Sequence, residues 1–414
     1  MSTPAQTALL PFVEARRAVE RVARQSKPAA VELVALADSR GRVLAEPVTA
    51  DRDFPPFPRS TRDGYAVRAA DLARLPAKLR VVGEMRAGGS WTGAPLAAGQ
   101  AAEIMTGAAA PPGADAVVMI EYTTRAGETV EVARAVAAGE NIVPAGAEAR
   151  AGSALLAPGT RLAHPQLALA AAAGRTELRV FPRPRVAILS TGDEVVEVAA
   201  QPGPHQIRNS NSYSLAAQVE AAGAVAVQLP IAPDQLEPLR RLLLQGLASD
   251  LLLITGGVSV GKYDLVEQAL AELGAEFVFT GAAIQPGRPA VLGRVPPRSG
   301  ADPVPFLGLP GNPVSTMVTF QLFARPVLDA LSGAAPQPLR FLQARLKSDL
   351  RTKTGLTRFL PARLSGEFEN VEVEAIRWQG SGDMASTAQA DCYLVVPPDR
   401  DTLKAGELVS ILLL

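Results

Sequence analysis

The chain has 414 residues, and 41 Lys and Arg balance 41 Asp and Glu, so its formal net charge is zero. At roughly 100–200 residues per domain it holds about two to four domains, and a neutral chain is a poor phosphate-neutralising binder of nucleic acid. Hydrophobic residues make up 48%, which excludes a disordered or collagen-like polymer despite 35 Gly and 35 Pro.

Near the N-terminus the apolar run 9–13 is broken at once by Glu14, Arg16 and Arg17, so no leader is expected. Nowhere do 18 apolar residues follow one another, so no membrane segment is expected either. Phe12, Ala15, Val19 and Val22 at three-to-four spacing predict a helix over 11–25. The Pro-punctuated stretch 53–59 reads as a rigid crossing between domains. Short β runs at 79–82, 116–120 and 130–132 make 65–140 a small β-rich unit. A helix over 166–173 and a strand over 177–181 follow. From 185 to 331 apolar runs alternate with helical patterns, which predicts a parallel, doubly wound sheet. Segment 333–338 reads as a linker, and the alternating β runs of 339–414 suggest a terminal barrel or sandwich.

Composition narrows the chemistry. Cys392 is the only cysteine, so no intramolecular disulfide forms and a reducing, cytoplasmic setting fits. His164 and His205 are the only imidazoles, which excludes a histidine-rich zinc site. Carboxylates, hydroxyls, backbone amides, Lys/Arg or a hard metal remain.

Three loops each follow a predicted parallel strand: Ser190-Thr191-Gly192-Asp193-Glu194, the glycine loop 255–261, and Leu309-Pro310-Gly311-Asn312-Pro313. Ligands bind outside the carboxyl ends of such strands, so the loops should line one crevice. Glycines allow close approach to phosphate, and free amides at helix starts favour anions. Asn312 is placed as an N-cap and Pro313 as a first helical residue. Neither the phosphate loop with Gly-Lys-Ser nor the three-glycine dinucleotide fingerprint occurs. Asp193, Glu194, Asp234 and Asp264 are the nearby carboxylates; helix capping is the plain structural reading of Asp234 and Asp264.

The runs 58–67 (Pro-Arg-Ser-Thr-Arg-Asp-Gly-Tyr-Ala-Val), 104–108 (Ile-Met-Thr-Gly-Ala), 116–118, 190–194, 256–261 and 308–315 occur in the order found in molybdopterin molybdenumtransferases of the MoeA family, to which gephyrin's E domain is also similar. The resemblance covers essentially the whole chain. It implies a multidomain α/β protein: a three-layer α/β domain of molybdopterin-binding type (182–331), a small β domain (51–138), a discontinuous linking domain (7–50 and 139–181) and a C-terminal β-barrel (332–414). It further implies a homodimer whose active site is shared between subunits.

The reaction implied is insertion of molybdate into adenylylated molybdopterin with release of AMP and the aid of Mg²⁺ or another divalent cation. By motif, Asp63, Thr106, Glu194, Asp234 and Asp264 are the catalytic positions, and Asp63, Glu194, Asp234 and Asp264 the metal-handling ones. Substrate contacts fall on Ser190, Thr191, Gly192, Asp193, Arg208, Gly256, Gly257, Ser259, Arg288, Pro310, Gly311, Asn312 and Pro313. Molybdopterin adenylyltransferase and molybdoenzymes are the implied partners. The chain departs from the pattern at Arg59 and Arg62, at Glu148 where Asp is common, and at Gln285 where some members carry Lys. A molybdopterin adenylyltransferase and a non-catalytic molybdopterin-binding scaffold are the competing readings. The five catalytic positions together with the full domain set favour the molybdenum-inserting enzyme.

Overall fold

The computed structural model describes residues 9–257, 265–296 and 302–414. Its centre is a six-stranded sheet of β1 (Arg185–Ser190), β2 (Val225–Gln228), β3 (Leu251–Thr255), β4 (Glu276–Phe279), β5 (Val291–Val295) and β6 (Val304–Leu309), in the order β2-β1-β3-β6-β5-β4. The apolar runs of β1 and β3 are buried on both faces, as a sheet covered by helices requires. On one face lie α3 (Ser210–Ala221), α6 (Pro313–Thr319) and α7 (Arg325–Leu331); on the other lie α4 (Leu236–Gly246) and α5 (Leu265–Glu272). Two separate clusters result, one around Ile188, Leu253 and Leu307, the other around Leu189, Ile254 and Phe306. The domain is three-layered.

The expectation of a parallel sheet needs one correction. β1, β2, β3 and β6 are parallel, but β5 runs antiparallel to both β4 and β6. Only segment 296–303 joins β5 to β6, too short for a crossover helix, and a short connection returns the chain antiparallel.

α1 (Phe12–Gln25) falls in the linking segment by sequence, yet its face of Ala15, Ala18, Val19 and Val22 packs into the α/β cluster beside Val327 and Leu328. Arg16 fixes it there: its Nη1 donates to the Leu322 carbonyl at 2.6 Å. Leu322 belongs to the π-helical turn Phe320–Ala324, where the ladder is interrupted between α6 and α7. Burial lowers the Arg16 pKa, and Glu20 opposes that effect.

Strands Glu32–Ala35, Val43–Leu44 and Glu177–Phe181 form a small sheet next to α2 (His164–Ala172), with a core of Leu44, Val48, Leu162, Ala170, Leu178 and Val180. Two segments distant in sequence therefore share one core. The β-rich unit is a six-stranded mixed sheet in which alternation sends Tyr65, Val67 and Val118 to one face, and Ala66, Ile104 and Val117 to the other. Two adjacent chains lead into it. Phe54 and Ala149 pair as an isolated bridge, the Gly146 amide donates to the Pro55 carbonyl, and Arg59–Ser60 pairs with Ile142–Val143.

The C-terminal strands β7 (Leu342–Leu346), β8 (Thr357–Ser365), β9 (Glu372–Ala375), β10 (Cys392–Val396) and β11 (Leu408–Leu413) close in the ring β8-β9-β7-β11-β10. Closure removes the sheet edges. Period-two alternation points Leu360, Cys392, Leu394 and Ile411 into the barrel, whereas Phe359, Tyr393 and Leu412 join the α/β cluster. Phe359 meets Phe12 edge to face at 5.3 Å. No helix among the described residues is long and apolar enough to cross a membrane.

Candidate functional site

Because β1, β3 and β6 are parallel neighbours, their carboxyl ends emerge together. The three loops predicted from sequence bound a cleft of about 350 Å³ at that edge. Ser190, Thr191 and Glu194 line it from the first loop, Gly256 and Gly257 from the second, and Pro310, Gly311, Asn312 and Pro313 from the third.

In the first loop the Gly192 amide donates to the Ala232 carbonyl at 3.2 Å, and Gly192 has a φ of +128°. A Cβ there would strike the Glu194 carboxylate, which folds back over the glycine. Beyond it, Val195–Val196 pairs in parallel with Ile207–Arg208, a two-stranded ribbon that brings Arg208 to the cleft wall. Arg208 is exposed and donates Nε to the Ala200 carbonyl at 3.3 Å. In the second loop Gly256 has a φ of +91°, and a Cβ there would lie 2.6 Å from the Thr191 carbonyl oxygen. Only glycine lets these two loops touch.

The third loop differs from expectation in one respect. Asn312 occupies the N-cap position of α6, but its side chain does not cap the helix. Its Nδ2 donates to Ser381 Oγ at 2.9 Å, and the Val314 amide is taken by the Ser381 carbonyl at 3.0 Å. A residue of the barrel domain thus occupies part of the helix start that was expected to be free.

Behind the cleft lies a buried polar network that the sequence reading missed. Asn209 caps α3: its Oδ1 accepts from the Ser212 amide at 3.2 Å and from Ser190 Oγ at 3.0 Å, and its Nδ2 donates to Ser212 Oγ at 2.9 Å. Next to it Asn211 Nδ2 donates to Thr255 Oγ1 at 2.8 Å and to the Gly311 carbonyl at 2.7 Å, which ties the end of β3 to the loop after β6. The run Asn-Ser-Asn-Ser at 209–212 was the available signal; it reads as simple capping chemistry.

Asp193 and Asp234 lie beside the cleft wall. Asp193 Oδ1 accepts from the Asp234 amide at 3.1 Å. Asp234 precedes α4 by two residues, and among the described residues no side chain caps that helix, so the capping reading of Asp234 does not hold. Arg288 is exposed on the turn whose Pro289 lines the cleft. Ser259 and Asp264 lie outside the described residues. Among the described residues no group of three or more His, Cys, Asp or Glu side chains is arranged to hold a metal ion.

Asp63 and Thr106 come together on the β domain, 43 residues apart in sequence. Asp63 Oδ1 accepts from the Thr106 amide at 2.6 Å and from its hydroxyl at 2.8 Å. These bonds, the amide first, hold the Asp63 carboxyl below the usual carboxylate range although the residue is exposed. Gly64 permits the turn, because a Cβ there would run into the Val118 carbonyl. Two of the departures also meet: Arg59 Nη2 pairs with Glu148 Oε1 at 2.7 Å across the two chains that lead into this domain.

Comparison with known proteins agrees with this architecture. Residues 10–174 match the MoeA N-terminal region (domain I and II), 187–330 a probable molybdopterin binding domain, and 343–414 the MoeA C-terminal region (domain IV). The chain belongs to the MoeA family. Among its relatives are the molybdopterin molybdenumtransferases of Nostoc sp., 36% identical over 92% of this chain and 88% of that one, and of Bacillus subtilis, 34% identical over 96% and 93%. The crystal structure of the molybdopterin biosynthesis MoeA protein of Pyrococcus horikoshii OT3 superposes with a TM-score of 0.79 at 30% identity, covering 98% of this chain and all of that one. The family match spans the strand-end cleft and the Asp63–Thr106 loop alike.

Proposed function

We propose that this protein inserts molybdate into adenylylated molybdopterin, releasing AMP and molybdenum cofactor. The observation that carries the reading is the cleft at the ends of β1, β3 and β6, which is lined by Gly256, Gly257 and the start of α6 together with Arg208 and Glu194. A pyrophosphate needs this kind of wall, made of close backbone, a helix start and a cation.

Glu194 suits a divalent cation such as Mg²⁺, which commonly uses one or two carboxylates together with substrate phosphates rather than an all-protein cage. Its carboxylate lies over Gly192, where any side chain would displace it. Such an ion would neutralise charge on the phosphate oxygens. Arg208 supplies a second positive charge, and Arg288 a third at the Pro289 turn. Asp193 and Asp234 form an acidic flank, and Asp63 with Thr106 presents an ionised carboxylate on the β domain. In a homodimer the partner subunit's β domain would face this cleft and complete the site. Ser259 and Asp264 belong to the glycine-loop side of the reading. The domain boundaries 7–50 with 139–181, 51–138, 182–331 and 332–414, the cytoplasmic location, and handover between adenylyltransferase and molybdoenzymes belong to the same proposal.

The test is incubation of the full chain with adenylylated molybdopterin, molybdate and Mg²⁺. Molybdate-dependent AMP release, together with reconstitution of a cofactor-free molybdoenzyme, supports the proposal. Consumption of ATP with pyrophosphate release would favour the adenylyltransferase reading, and binding without turnover the scaffold.

A further inference from the structure

Among the described residues the cleft is lined by polar, charged, glycine and proline residues, with two exceptions, Val195 and Ile207. These two are register partners in the parallel ribbon, and residues paired in this way share a face. Ile207 is 59% exposed, and among the described large apolar side chains only Phe368 is more so. A lone exposed isoleucine is ordinary on a convex surface, but a paired one on a concave wall offers a patch to a ligand. The ribbon is also held in place. The Ile207 amide donates to the Glu194 carbonyl at 2.8 Å, and the Asn209 amide to the Val196 carbonyl at 2.8 Å. Asn209 is in turn fixed by Ser190 and Ser212 in the buried network. The apolar pair therefore stands preformed beside Glu194, on the loop whose Thr191 touches Gly256.

A phosphate gains nothing from an aliphatic patch. A flat heterocycle does, because its faces are apolar and its polar edges can stay in water while a face covers Val195 and Ile207. We infer that Val195 and Ile207 form the platform on which a planar heterocycle of the substrate lies, so that this ribbon selects for the ring while the neighbouring loops take the phosphate. The inference rests on the proposed function, whose substrate carries two such rings, adenine and pterin, one on each side of its pyrophosphate. Its strength comes from burial of apolar area, so it depends on the size of the side chain at 207 and not on any hydrogen bond.

The test titrates the full chain calorimetrically with two probe pairs, each a phosphate ester with and without a ring. One pair is AMP and ribose 5-phosphate; the other is neopterin 3′-monophosphate and glycerol 3-phosphate. Wild type should prefer the ring-bearing member of one pair by roughly tenfold. That ratio should fall toward one in Ile207→Ser and persist in Ile207→Leu, while the affinity for pyrophosphate stays the same in all three proteins. Because Ile207 is exposed, both variants should melt within about a degree of wild type. A preference confined to the adenylate pair assigns the platform to adenine, and one confined to the pterin pair assigns it to the pterin. No ring preference in wild type, or one that persists in Ile207→Ser, overturns the inference. A change of oligomeric state in Ile207→Ser, read by sedimentation, also overturns it and makes Ile207 a subunit contact. Wild type that releases AMP without a ring preference refutes this inference alone, whereas absence of AMP release refutes the reaction.

Discussion

The strand-end cleft and the Asp63–Thr106 loop build their polar groups in opposite ways. In the cleft, Ser190, Asn209 and Ser212 are buried and mutually bonded, so position is set by a closed network. On the β domain, one exposed carboxylate is held by the amide and hydroxyl of a single threonine. The first arrangement is buried and holds its side chains in place without help from another surface. The second is local and solvent-facing, and would need another surface over it to enclose a substrate. Loss of a cleft side chain that belongs to the bonded network should therefore show in both stability and activity, and loss of a loop residue in activity alone.

The largest effect should come from closing the cleft. Gly256→Val places a side chain against the Thr191 carbonyl in a backbone conformation that disfavours it. AMP release should fall by about 10²–10³, with a lower melting temperature as well. Asp63→Asn should lower kcat by roughly 10² while the melting temperature stays within about a degree, because the carboxylate is exposed. A fall in both quantities would erase the contrast drawn above.

A smaller and sharper test compares two buried side chains. Asn209→Ala breaks a satisfied network and a helix cap, and should cost about 1–3 kcal/mol in denaturant unfolding. Thr191→Val removes a hydroxyl that bonds to nothing described, and should cost nothing or stabilise.

The smallest effect concerns pH. Burial, with Asp391 adding to it, pushes the Cys392 thiol from 9.0 up to about 11, and burial also raises the Tyr393 phenol. Both groups stay neutral in the fold and ionise more readily when unfolded. Their stabilisation is therefore complete below about pH 9 and is lost as pH rises toward 11. Melting curves should drop by on the order of 1–3 kcal/mol across that window. Cys392→Ala should flatten the drop. Tyr393→Phe should flatten it too without lowering stability at neutral pH, since the phenol oxygen is buried and has no partner among the described residues.

Much of this was legible in the residues. Apolar runs with glycine turns placed the strands of the α/β domain, and the three loops after β1, β3 and β6 do meet, because strand-end geometry is a topological consequence of parallel pairing. The antiparallel β5 was not legible: its apolar run looks the same in either direction, and only its short connection to β6 betrays it. Asn209 and Asn211 were hidden because asparagine at a helix start ordinarily caps. Asp63 and Thr106 were visible only through the family resemblance, since nothing in local periodicity joins residues 43 apart. Ser381 taking the place expected of free α6 amides was hidden for the same reason: the contact is made by another domain.

The most direct measurement is AMP release from adenylylated molybdopterin, with and without molybdate, by wild type, by Glu194→Gln, by Asp63→Asn, and by an equimolar mixture of the two variants refolded together. The account predicts molybdate-dependent release by wild type, loss in each variant alone, and partial recovery in the mixture, where one wild-type cleft meets one wild-type loop. Release by Glu194→Gln at the wild-type rate, or tight adenylate binding by wild type without any release, would contradict it.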